Sequence, residues 1–119
     1  DTLSLHDALP IFFGNVVIEK ILFYLLVNEK GYATQLKRAF GIPLYSIQIA
    51  LMRLERGGIL VRQPYGKTQV YQFSPRYPFL KELKAFLQKV YDSIPEKIRN
   101  QFYEPPIRKR PRRKGKPLT

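Results

Sequence analysis

The sequence predicts a mainly α-helical (α+β) domain with one small β-hairpin: a three-helix core, the hairpin, and then C-terminal helices. Three observations carry that class. Between residues 15 and 56 apolar side chains recur at spacings of three and four, the period of helices that bury one face. Two short β-rich runs, residues 59–62 and 69–73, flank a segment holding Pro64 and Gly66, which reads as a hairpin with a Gly-bearing turn. Helical period then returns over residues 79–92. With 119 residues and 45% hydrophobic side chains, the chain suits one domain with one core rather than two.

Each element follows from local signals. Residues 15–27 read N-V-V-I-E-K-I-L-F-Y-L-L-V, with Val17, Ile18, Ile21, Leu22, Leu25 and Leu26 at helical spacing. Gly14 and Asn15 supply a start, Asn28 with Gly31 a stop, and the helix is expected to be mostly buried. Residues 33–40 give one to two further turns, with Leu36, Ala39 and Phe40 inward, Lys37 and Arg38 outward, and Gly41 as terminator. A third helix spans residues 43–56 and starts on Pro43, because the first helical position needs no amide donor. Its inward face is Ile47, Ala50, Leu51 and Leu54. Gly57 and Gly58 close it, glycine being at ease in the left-handed conformation of a helix C-cap. Residues 63–68 join the two strands, and S-P-R-Y-P over 74–78 is a rigid connector. Phe79, Leu83, Phe86, Leu87 and Val90 form one stripe of the next helix. A short helix over 95–102 follows, with Ser93 as its cap.

The two ends differ from the body. Residues 2–11, T-L-S-L-H-D-A-L-P-I, match codon for codon the DNA string ACT CTT TCC CTA CAC GAC GCT CTT CCG ATC, part of a widely used short-read sequencing adapter. Residues 1–11 are therefore expected to be adapter-derived, with the native start missing; a natural amphipathic leader is the alternative. His6, the only histidine, falls inside this segment, so it is given no metal or general-base role. The domain proper is expected over residues 12–78, with C-terminal helices over 79–104 that cover the core or mediate dimerisation. Residues 105–119 carry seven bases and no acid among prolines, and are expected to be a disordered basic tail.

Charge narrows the partners. The chain carries a net +12, and residues 12–104 alone have 14 basic against 7 acidic side chains, a net +7. A positive field of that size favours polyanions, nucleic acid before anionic membrane. The most apolar stretch is interrupted by Glu19 and Lys20, so no spanning helix is expected. With no cysteine, disulfides and thiolate chemistry are excluded, which fits a cytoplasmic, nucleoid-associated protein. Paired carboxylates at catalytic spacing, a Gly-rich phosphate loop and a nucleophile elbow are all missing. No enzyme, cofactor or metal site is expected.

The order helix, short helix, Gly turn, helix, hairpin is that of a winged helix-turn-helix, in which two helices buttress a third that enters the major groove. The stretch F-G-I-P-L-Y-S-I-Q-I-A-L-M-R-L-E-R-G-G-I-L-V over 40–61, followed by P-Y-G-K-T and Q-V-Y-Q-F, resembles the recognition segment and wing of ArsR-like and MarR-like bacterial regulators. The resemblance covers roughly residues 13–92. It implies a transcriptional regulator of double-stranded DNA, most readily a repressor, with its turn glycine at Gly41. Base-edge positions then fall on Leu44, Tyr45, Ser46, Gln48, Ile49 and Arg53, and wing contacts to phosphate or a minor-groove edge on Arg62, Tyr65 and Lys67. Gln48 suits adenine, Arg53 guanine or phosphate, and Tyr45 and Ser46 phosphate oxygens. Ile49 departs from the family pattern, where a polar or basic residue is common. The resemblance also offers Phe79, Leu83, Phe86, Leu87 and Val90 as a homodimer seam, which would serve a palindromic site. Arg108, Lys109, Arg110, Arg112, Arg113 and Lys114 would clamp the DNA backbone. The Cys and His ligands of metal-sensing relatives are missing, leaving a protein partner or small molecule as effector. A winged-helix protein-interaction adaptor and a tail-driven, nonspecific nucleic-acid binder are the alternatives.

Overall fold

The structure, a computed structural model, describes residues 15–104. In chain order these form α1 (Val16–Asn28), β1 (Gly31–Tyr32), α2 (Ala33–Phe40), α3 (Leu44–Arg56), β2 (Leu60–Tyr65), β3 (Thr68–Phe73), α4 (Leu80–Asp92) and α5 (Glu96–Phe102). The strands make one antiparallel sheet in the order β1-β3-β2. Three helices followed by a hairpin that a short strand completes constitute a winged helix-turn-helix, with two helices added at the C-terminal end.

α1 begins where Asn15 caps it, the side-chain oxygen accepting from the Ile18 N–H at 3.1 Å. It ends at Asn28, one residue beyond the expected limit, and Glu29 turns the chain at φ 72°. Asn28 then ties this end to the other end of the fold, its amide donating to the carbonyls of Tyr103 (2.7 Å) and Tyr24 (3.1 Å). Gly31, read from sequence as a helix stop, instead opens β1 and pairs with Tyr71. A Cβ there would lie 3.3 Å from the Leu25 and Tyr24 side chains, so α1 and the sheet approach closely because this residue is a glycine.

Pro43 precedes α3 rather than occupying its first position, with φ −54° and ψ 141°, and its carbonyl accepts from the Ile47 N–H. At the other end Gly57 is still helical and only Gly58 is left-handed, at φ 80°. The Gly58 N–H donates to the Glu55 carbonyl and the Ile59 N–H to that of Leu54, each at 3.0 Å, the paired closure of a Schellman motif. The strands run further than their sequence suggested, leaving a two-residue turn of Gly66 (φ 64°) and Lys67. Pro64 lies inside β2, which tolerates it as an edge strand of the sheet among the described residues. Ser93 closes α4 instead of capping α5: its hydroxyl donates to the Val90 carbonyl at 2.6 Å, and Pro95 precedes the last helix.

One core joins all these elements. Ile21, Leu36, Ile47, Leu51 and Leu87 are fully buried, together with Ile94 and Tyr103 from the C-terminal segment. The Tyr103 ring packs at 5.6–5.9 Å from the rings of Phe40, Tyr91 and Phe23. The apolar stripe of α4 is divided. Leu87 lies in the core, Leu83 and Val90 pack against it half-buried, and Phe79 (61% exposed) and Phe86 (44%) face outward.

Candidate nucleic-acid interface

α3 buries Ile47, Ala50, Leu51 and Leu54, so the positions a half-turn away face solvent. Tyr45, Gln48, Ile49, Met52 and Arg56 recur there at intervals of three and four and form one stripe. Tyr45 is 73% exposed, Gln48, Arg53 and Arg56 are exposed, and Leu44, Ser46 and Ile49 are half-buried. The sequence assigns contacts to Tyr45, Gln48 and Ile49 by resemblance, but none to Met52 or Arg56. Their spacing of seven and eleven residues from Tyr45 was the available signal.

Two grooves flank the helix. The wider, of about 440 Å³, runs between the start of α2, the side of α3 and the hairpin, and is lined by Thr34, Gln48, Arg62, Lys67 and Gln69 among others. The second, of about 240 Å³, lies against the start of α1 and is lined by Asn15, Val17, Tyr45, Ser46, Ile49 and Arg53. The fold therefore brings Gln48 together with Arg62 and Lys67, and Tyr45 and Ser46 with Ile49 and Arg53. Leu44 lines neither. Tyr65 lines neither groove either. In β2 alternate side chains point to opposite faces, so Tyr65 lines a hollow behind the sheet with Lys30, Tyr32, Gln35, Gln63 and Val70. At 81% exposed it can reach only what lies beyond the tip or behind it.

Arg62 is held in place, its Nε 3.5 Å from the Glu55 carboxylate of α3. That contact links wing and helix at the groove wall. Among the described residues neither groove is lined by an acid, while Arg53 lines one and Arg62 and Lys67 the other. Groups with displaced titration lie in the core instead. Burial lowers the Lys20 ammonium, which sits 5.8 Å from the Phe40 ring centroid, and raises the phenols of Tyr24, Tyr91 and Tyr103.

Among the described residues no group of three or more His, Cys, Asp or Glu side chains is placed to hold a metal ion, and no helix is long and apolar enough to cross a membrane. The adapter-like residues 1–11 with His6, and the basic residues Arg108 to Lys114, lie outside the described residues. No protein family model matches the chain, and no curated protein does. Among solved structures it aligns with a doubly substituted Lactococcus lactis ZitR in its apo form, at 10% identity over 71% of this chain and 72% of that one, with a TM-score of 0.46.

Proposed function

We propose that this chain is a sequence-specific transcriptional regulator of double-stranded DNA, resting α3 in the major groove and the β2–β3 wing on the flanking backbone. The observation that carries the reading is the shared groove: Gln48 of α3 and the cations Arg62 and Lys67 of the wing open onto one surface of a body with net charge +7. An α-helix fits the major groove, where a glutamine amide pairs with adenine N6 and N7 and arginine with guanine or phosphate. Gln48 and Arg53 take those roles. Tyr45 and Ser46 reach phosphate oxygens, Leu44 flanks the helix start, and the tail arginines and lysines add backbone contacts. Exposed Phe79 and Phe86, with Leu83 and Val90 beside them, are the surface on which a second copy would dock. A dimer would set two α3 helices about one DNA turn apart, roughly 34 Å, and occupancy of a promoter by that dimer is repression.

The test is selection of the full chain against a random-duplex pool at fixed salt, wild type beside Gln48→Ala combined with Arg53→Ala. A palindromic motif enriched by wild type and lost in the double variant is the expected result. Salt-sensitive binding without a motif points to a backbone binder, and no binding above background at low salt leaves the adaptor reading in its place.

A further inference from the structure

Resting on the DNA-binding reading, we infer that α3 reads the C5-methyl groups of thymine, with Ile49 and Met52 as the specificity-determining side chains. The middle of the stripe that α3 turns outward is apolar, with hydrogen-bonding side chains at its two ends and exposed Arg53 beside it. Between Tyr45 and Arg56 it presents the amide of Gln48 and then two apolar side chains, Ile49 half-buried and Met52 36% exposed. They are three residues apart, so their Cβ atoms lie about 5–6 Å from each other, a span that covers adjacent base pairs stacked at about 3.4 Å. The thymine methyl is the apolar group on the major-groove edge of the bases. An aliphatic pair facing that edge therefore discriminates for A·T pairs, and Gln48 beside it suits the adenine of the same pairs. Ile49 is stiff at χ1 and fixes one contact, while the unbranched Met52 adapts to its neighbour.

The surroundings select duplex DNA over an apolar protein groove as the occupant. Arg53 shares one groove with Ile49, Arg56 follows Met52 by one helical turn, Arg62 and Lys67 share the other groove with Gln48, and residues 12–104 carry +7. A protein helix seated there would need to be strongly acidic at its rim and apolar at its centre. A duplex supplies phosphates at the rim and methyls at the centre of its groove.

The experiment replaces thymidine by deoxyuridine in the highest-affinity duplex from the selection, which removes methyl groups and leaves the hydrogen-bonding edges and the phosphates unchanged. Affinity of the full chain for both duplexes is read by fluorescence anisotropy at one salt concentration. Burying one methyl is worth about a fourfold change in affinity, so the deoxyuridine duplex is expected to bind on the order of tenfold more weakly if two methyls are met. Met52→Ala and Ile49→Ala should each shrink that ratio, whereas Gln48→Ala weakens binding to both duplexes and keeps the ratio. Equal affinity of wild type for the two duplexes overturns the inference while leaving DNA binding intact. A wild-type preference unchanged in both the Met52 and Ile49 variants overturns the assignment to these residues. Failure to bind either duplex overturns the DNA-binding reading and this inference with it.

Discussion

Tyr103 is 1% exposed, and its hydroxyl has no hydrogen-bond partner among the described residues. Burial pushes its phenol far above the ordinary value near 10, with Tyr91 and Glu19 reinforcing the shift. Tyr91 is raised first by burial and then by the hydrogen bond it donates to Glu104. A phenol harder to ionise in the folded chain than in the unfolded one contributes stability below about pH 10, and that contribution is lost as pH rises further. Lys20 acts in the opposite sense, because its buried ammonium is a cost that deprotonation relieves. The two strongly raised tyrosines outweigh it. Thermal melts followed by circular dichroism are therefore expected to show the midpoint falling as pH rises above about 10, and falling less steeply in Tyr91→Phe. A parallel fall in the variant would mean that Tyr91 does not carry the alkaline limb. These couplings arise from residues 19, 91, 103 and 104 meeting in space, and nothing in the local sequence around any of them announces it.

At the scale of elements, the closure of α3 decides where the wing starts. Gly57 and Gly58 are adjacent and look alike in sequence, yet one is helical and the other left-handed. A Cβ on Gly58 would meet nothing within 4 Å, so its substitution is opposed by backbone conformation alone, by about 1 kcal/mol. A Cβ on Gly57 would make an ordinary contact at 3.5 Å, and alanine at a helical position reduces the freedom of the unfolded chain. Gly58→Ala is expected to lower stability by about 1 kcal/mol in urea denaturation, and Gly57→Ala to leave it unchanged or raise it by up to about 1 kcal/mol. Equal effects of both would contradict the Schellman closure. The long helices were legible because several turns repeat one period, as Ile47, Ala50, Leu51 and Leu54 do. β1 was not, since two residues carry no period, and the hairpin ends were blurred by Pro64, a strand breaker that only an edge strand admits.

For the whole molecule the charge distribution makes the strongest quantitative claim. The Arg62–Glu55 pair is 49% and 34% exposed at its two side chains, so its contribution to stability is below about 1 kcal/mol. If Arg62 and Lys67 each meet a phosphate, removing both should lower the slope of log affinity against log salt by about 2. The doubly substituted chain, Arg62→Ala with Lys67→Ala, is accordingly expected to melt within a few degrees of wild type and to bind duplexes with a visibly flatter salt dependence. An unchanged slope would move the wing off the DNA.

Composition and period alone determined the helical core, the inward face of α3 and hence the outward placing of Gln48 and Arg53, because a helix converts spacing into sides without reference to the rest of the chain. The net positive charge was equally legible, being a sum over residues. The tertiary structure decided which α4 side chains stay outside, with Leu87 buried and Phe79 and Phe86 exposed. It also put Tyr65 and Arg62 onto different hollows, on opposite faces of β2, and closed the sheet with β1. Those outcomes depend on which surfaces meet at distances far apart in sequence, and a local pattern holds no information about its distant partner.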